Sequence, residues 1–411
     1  MKEWKKVKLG EICEITSSKR IFYSEYVEKG VPFYRSKEII ELSQGQSISE
    51  PLYISENRYN EIKDKFGVPQ ANDILLTSVG SIGIPYIVNS KDRFYFKDGN
   101  LTWLHNYDQS VAPLYILYWI KSDEGFNLLN NIALGAAQKA LTIAKLKEVE
   151  ISLPPLPTQH RIASILSRYD ALIENYQKQI KLLEEAAARL YKQWFVELKF
   201  PGYQNTTIID GVPEGWEKKT LSEIFTFVRG KSYTSKELSD DGIIMVNLKN
   251  IQAFGGYKRD AEKRFTGKYK DEQSLNKGDL IMGVTDMTQE RRLVGHVALV
   301  PNFNEPATFS MDLIKIIPFE IPKNFIYCSM RYGGLSTKIS PLANGVNVLH
   351  LKPEAIMGIE MTIPPKRLIG EFNLFIDKTM DSILNLQSQI RHLTESRDRL
   401  LPKLMSGELE V

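Results

Sequence analysis

Apolar residues recur at alternating spacings of three and four through Leu166, Tyr169, Ile173, Tyr176, Ile180, Leu183, Ala187, Leu190 and Trp194. That spacing predicts the seam of a long helix packed on another long helix. The pattern returns through Ile369, Phe372, Ile376, Thr379, Ile383, Leu386, Ile390, Leu393, Arg397, Leu400 and Leu404, in register at an offset of 210 residues from Leu166 to Ile376. Helices of roughly 40 residues, about 60 Å at 1.5 Å per residue, need their seam buried. Connectivity favours antiparallel packing: the chain leaves the first helix, builds a second globular domain and enters the second helix there. The expected result is a rod with a globular domain at each end and an approximate two-fold axis between them. Thr379 and Arg397 interrupt the second seam, and Arg397 is expected to snorkel or to contact a partner.

The segments between the helices also repeat. Trp4, Leu9 and Ile12 precede Trp216, Leu221 and Ile224 by 212 residues, and GVPFYRSKEI at Gly30 faces GIIMVNLKNI at Gly242 at the same offset. Each reads as a turn glycine, a short strand and a polar loop. Asn72–Val88 and Gly278–Val300 each read as two β-like runs around a polar turn, and the second is six residues longer at the turn, since Asp279 follows Asp73 by 206 but Gly295 follows Gly83 by 212. Insertions at a hairpin tip are tolerated, and binding residues often sit there. This tip carries Asp286, Thr288, Gln289, Arg291 and Arg292. An apolar helical stretch follows in each half, Pro113–Leu129 and Pro322–Leu335, then a Gly/Ala/Asn-rich loop and a paired proline, Pro154-Pro155 and Pro364-Pro365. Thr158 is placed to cap the first long helix, Phe200-Pro201-Gly202 to stop it, and Pro402 to interrupt or kink the end of the second.

These boundaries predict an α+β chain of two similar globular domains joined by two long antiparallel coiled-coil helices, with a pseudo-two-fold internal repeat. The expected segments are a first domain at 1–157, a first spacer helix at 158–202, a linker at 203–215, a second domain at 216–365 and a second helix with the tail at 366–411. The net charge of +3 neither identifies nor excludes nucleic acid, because affinity follows local phosphate contacts. Cys13 and Cys328 lie far apart and outside metal-ligand spacing, as core residues in a reducing compartment would. The basic N-terminus leads into no apolar run, and the longest such run, Val111–Ile120, is too short to cross a bilayer. A soluble, cytoplasmic protein without membrane contact is expected.

Catalytic patterns are missing from the chain. It has no phosphate loop, GxGxxG fingerprint or GxSxG elbow, and His105, His160, His296, His350 and His392 form no metal-binding pair. The paired prolines follow Leu153 and Ile363, so no amino-methyltransferase motif is formed, and Glu61-Ile62-Lys63 lacks the acidic partner of a nuclease. Duplication of a non-catalytic module accounts for the chain better than hidden catalysis, and neither a metal nor a cofactor is expected in it.

Two related heads on a rod suit duplex DNA, each reading a different sequence block with the rod fixing the gap. Base-reading candidates in the first head are Arg35, Ser36, Lys37, Thr77, Ser78, Gln138 and Lys139. In the second they are Asn247, Lys249, Asn250, Thr285, Asp286, Arg291 and Asn347. Arg and Lys suit guanine edges or phosphates, and Asn and Gln suit adenine. Tyr257, Lys258, Arg259, Lys263, Arg264, Lys268 and Lys270 form a basic stretch suited to backbone contacts, diluted by Asp260, Glu262 and Asp271. A protein-binding adaptor with two clamping heads remains an alternative.

The paired GVPFYRSKEI and GIIMVNLKNI, the paired NDILLTSVGSIG and GDLIMGVTDMTQERRLVG, ISLPPLPTQHRIASIL, LYKQWF before FPG, and RLLPKLMSGELEV together resemble the specificity (S) subunit of type I restriction-modification systems. The resemblance covers essentially the whole chain. It implies a non-catalytic subunit in which each target-recognition domain reads half of a bipartite asymmetric DNA target and helix length sets the spacer. It further implies two modification subunits docked on the helices, using S-adenosylmethionine to methylate adenine N6. Restriction subunits would add ATP- and Mg-dependent translocation and cleavage. A specificity module of a methylation-only system fits the same features. The second copy departs locally, with Lys366-Arg367-Leu368-Ile369 where the first has PLPTQ, which bears on its helix start.

Overall fold

In a computed structural model, residues 4–45, 48–133, 140–259 and 261–411 are described. The chain forms two compact units, Met1–Glu174 with Leu393–Val411, and Asn175–His392. Each unit is an α+β module carrying one stretch of each long helix.

In the first unit, strand Lys5–Lys8 pairs antiparallel with Glu150–Leu153, closing the module where the long helix begins. A four-stranded sheet runs in the order Glu14–Thr16, Leu101–His105, Ile74–Thr77 and Pro85–Ile87. Ile74–Thr77 is buried along its whole length, as a central strand covered on both faces requires. In a second sheet, Val31 and Phe33 are buried while Pro32 and Tyr34 are partly exposed, the period of two of a half-covered strand. Its one parallel pairing joins Val31–Tyr34 to Tyr95–Phe96.

The second unit repeats the plan. Glu217–Thr220 pairs with Glu360–Ile363, and a sheet runs Phe225–Arg229, Leu313–Pro318, Leu280–Gly283, Val297–Leu299. Leu238–Val246 takes Ala307–Phe309 as its parallel neighbour. The repeat extends to single hydrogen bonds: Leu9 N donates to Val149 O at 2.8 Å, and Leu221 N to Ile359 O at 2.9 Å.

The stretch expected as one helix from Pro113 is two, Pro113–Lys121 and Asp123–Ile132. Ser122 adopts an extended backbone and caps the second helix by accepting from Gly125 N at 3.2 Å. Gly125 packs so closely that an added Cβ would lie 2.1 Å from the Trp119 carbonyl oxygen. The counterpart also breaks, into Lys323–Arg331 and Leu335–Ile339, with Gly334 left-handed between them.

The long helices are Leu156–Tyr191, continued by a π turn over Lys192–Val196, and Lys366–Met405. Thr158 therefore lies inside the first turn and does not cap it. The start is instead held by buried Gln159, whose amide donates to Ser110 O and Pro154 O and accepts from Ala112 N, all within 2.9 Å. Regular winding ends before Phe200-Pro201-Gly202, and the second helix runs through Pro402 without a break.

The helices run antiparallel within each unit. In the first, Leu166 and Leu404 share one core, and Arg397 pairs with Asp170 at 2.6 Å. In the second, Ala187, Tyr191, Ile369, Phe372, Ile376 and Ile383 are buried together, with Ile180, Leu183, Leu190 and Trp194 packed at the edge of that core. Tyr169, Ile173, Tyr176, Leu386, Ile390, Leu393 and Leu400 are half-buried, so the seam is driest beside each module. Tyr191, outside the expected ladder, is buried and donates to Ser329 Oγ at 2.9 Å. The seam interruptions are accommodated: Thr379 bonds the Phe375 carbonyl at 2.9 Å, and Arg397 has its carboxylate partner.

Candidate nucleic-acid interface

Loops leaving the central hairpin present polar and apolar side chains to solvent at one end of each module. In the second, Thr285–Asp286 pairs antiparallel with Leu349–His350, bringing the 287–292 and 343–348 loops side by side. Asp286 is fully buried, where a carboxylate must be satisfied. One oxygen accepts from Thr288 N at 2.9 Å and Thr288 Oγ1 at 2.8 Å, the other from Leu293 N at 2.6 Å and Val294 N at 3.2 Å. Burial alone would raise its pKa, but these donors outweigh it and hold the carboxyl below its ordinary value. Gln289 Nε2 then donates to Val346 O at 2.9 Å, tying the two loops together. Gly345 has φ of +151°, and a Cβ there would sit 1.9 Å from Val348 O, so this turn needs glycine. A third loop joins through Phe254 N, which donates to Arg292 O at 2.8 Å.

In the first module the equivalent bridge joins Val79 to Ala140, and Leu141 N donates to Ser78 O at 2.8 Å. The Asn100 carbonyl gathers neighbouring loops, accepting from Ser78 N at 2.9 Å and from Ser36 Oγ at 3.4 Å.

Several expected base-reading residues are internal. Thr77 is buried and its hydroxyl accepts from Ile84 N at 2.9 Å; Ser78 is buried against Thr102 Oγ1 at 2.6 Å. Asn247 and Asn250 are buried, with side-chain amides donating to Ala261 O at 2.6 Å and Lys258 O at 2.8 Å. Thr285 and Asp286 are buried as well. These six set the shape of the loops: five bond neighbouring backbone through their short polar side chains, and Thr285 meets the His350 ring at 3.5 Å. Arg35 clamps fully buried Glu38 at 2.6 Å and Lys37 meets Glu50 at 2.8 Å. For Glu38, burial opposes ionisation, but the Arg35 bonds prevail and lower its pKa. Lys249 and Asn347 are exposed and Arg291 is half-buried with φ of +52°. Gln138 and Lys139 lie outside the described residues.

The basic stretch divides similarly. Tyr257 is buried and donates to Glu262 at 3.1 Å, and Arg259 donates to Asn302 O at 2.6 Å and Ser388 Oγ at 3.2 Å. Lys263 bonds Tyr233 at 2.6 Å, and Arg264 forks onto Glu305. Lys258, Lys268 and Lys270 remain on the exposed surface. Alternating internal ties and surface cations look alike as a run of charges. Missed altogether were Met287, Val346 and Phe254, exposed by 75%, 89% and 60% on the converging loops. The turn glycines beside Val346 and Phe254 are the signals the sequence offers for them.

Among the described residues, no group of three or more His, Cys, Asp and Glu could hold a metal ion, and no helix is long and apolar enough to cross a membrane.

Two like α+β modules, each seated on antiparallel helix segments and each ending in loops of divergent sequence, define a tandem recognition protein. The chain belongs to the type I restriction modification DNA specificity domain family, whose sequence model matches residues 1–185 and 213–390. It is similar to the type I restriction enzyme MjaIX specificity subunit of Methanocaldococcus jannaschii, at 28% identity over 100% of this chain and 94% of that one. It is also 21% identical to the HindI specificity subunit of Haemophilus influenzae, over the full length of both chains. The crystal structure of the type I restriction-modification S subunit from M. genitalium shares the fold, with a TM-score of 0.59 and 18% identity over 98% of this chain and 96% of that one.

Proposed function

We propose that this chain is the non-catalytic subunit that gives a type I restriction-modification complex a bipartite asymmetric DNA target. Each module reads one half-site through its loop tip, and the helices fix the spacing and receive two modification subunits. Those subunits supply S-adenosylmethionine-dependent adenine-N6 methylation, and restriction subunits supply ATP- and Mg-dependent cleavage. The observation that carries this reading is the duplication itself: one framework is kept twice, down to matched hydrogen bonds, while the loops on it differ. Divergent loops on a shared framework are what two different half-sites require. The test is equilibrium binding of the chain, with its modification subunits, to duplexes across a salt series. Specific binding that weakens steeply with salt is expected; an adaptor that clamps proteins would show no salt-sensitive duplex binding.

A further inference from the structure

We propose that the second module reads thymine 5-methyl groups with Met287 and Val346, an inference that rests on the DNA-reading function above. Three polar residues beside them, Asp286, Thr288 and Gln289, are spent on holding the loops. Asp286 is buried with loop donors on both oxygens, the Thr288 hydroxyl is one of those donors, and the Gln289 amide holds the Val346 carbonyl at 2.9 Å. Facing outward on this framework, among exposed Glu290, Arg292 and Asn347, are two apolar side chains, Met287 exposed by 75% and Val346 by 89%. One exposed apolar side chain is ordinary. Here two occupy adjoining tips fastened to each other by the Gln289 bond and by strand pairing of Thr285–Asp286 with Leu349–His350.

The major-groove edge of a base pair offers one apolar group, the thymine methyl, and aliphatic side chains read it by contact. Two aliphatic side chains held side by side have no other base-specific partner there. Among the described residues, the matching turn of the first module is shorter and carries Gly80 and exposed Ser81 where the second has Met287.

The experiment uses the full chain assembled with its modification subunits and a duplex bearing the target mapped by methylation. Each thymine of the target is replaced in turn by deoxyuridine, which removes only the methyl, and affinity is measured by fluorescence anisotropy. Within one half-site, substitution should weaken wild-type binding about four-fold per contacted methyl. Met287→Ala or Val346→Ala should abolish that thymine preference while leaving any preference in the other half-site unchanged. Both side chains are exposed, and the wild-type series needs no variant, so a folding defect cannot imitate the result. Specific binding indifferent to every deoxyuridine would overturn the methyl reading, as would a preference that survives both variants. Failure of the wild-type complex to bind any duplex specifically would overturn the underlying DNA reading.

Discussion

Arg397 occupies a seam position, and its partner there makes a quantitative prediction. Its guanidinium lies 2.6 Å from Asp170, with side-chain exposures of 26% and 28%. Tyr118 donates to the other Asp170 oxygen at 2.8 Å, and Lys121 lies 3.8 Å from it. Burial lowers the Lys121 pKa; Asp170 opposes that shift and Arg397 adds to it. Asp170 therefore serves two cations and one hydroxyl, joining both long helices to helix Pro113–Lys121. Coulomb attraction at this distance is about 6 kcal/mol gross at an effective dielectric near 20. Desolvation and residual solvent screening reduce the net coupling to about 1–2 kcal/mol. Asp170→Asn keeps an acceptor for Tyr118 but leaves Lys121 without its carboxylate and Arg397 with only its neighbour Asp398, 2.8 Å away, at a cost of about 2 kcal/mol. Arg397→Met should cost about 1–2 kcal/mol, and the double variant about 1–2 kcal/mol less than the sum of both. Hydrogen exchange of the Pro113–Lys121 amides across a urea series reads this locally, which a chain of two units requires. Additivity within about 0.4 kcal/mol would refute the coupling.

Removing Asp286 should strand three backbone donors: Asp286→Ala is expected to destabilise its unit by about 3 kcal/mol and to impair one half-site only, measured by urea unfolding and methylation mapping. Its pKa is lowered from 3.8, so below that value the unfolded chain takes up the proton more readily than the folded one. The stability Asp286 contributes should therefore be complete above about pH 5 and lost as pH falls through the folded value, so that the difference from Asp286→Asn narrows on acid titration. Inserting seven residues in register in both long helices adds about 10 Å of helix, and methylation mapping should show a spacer about three base pairs longer.

The long helices were legible because a repeat of three and four exposes one seam whatever surrounds it. The module repeat was legible because its turn glycines and closing isoleucines recur at one offset. Side-chain direction at the loop tips was not legible. Thr77, Asn250 and Asp286 look like solvent-facing loop polars, and only the tertiary fold turns them inward onto backbone donors and acceptors. Arg259 and Arg264 look like phosphate ligands, yet Asn302, Ser388 and Glu305, all distant in sequence, engage them. The break at Ser122 needed the Gly125–Trp119 approach, which no spacing rule contains. Arg397 stands out in the sequence only as an interruption of the seam; beside neighbouring Asp398 it also meets Asp170, 227 residues away on the other helix.

The central claim is that this chain sets which DNA sequence its complex modifies. Methylated adenines should be mapped genome-wide in cells expressing the modification subunits with and without the chain. Loss of one bipartite asymmetric methylation motif, with all others kept, is the predicted result. An unchanged methylation map in cells that express those partners would contradict it.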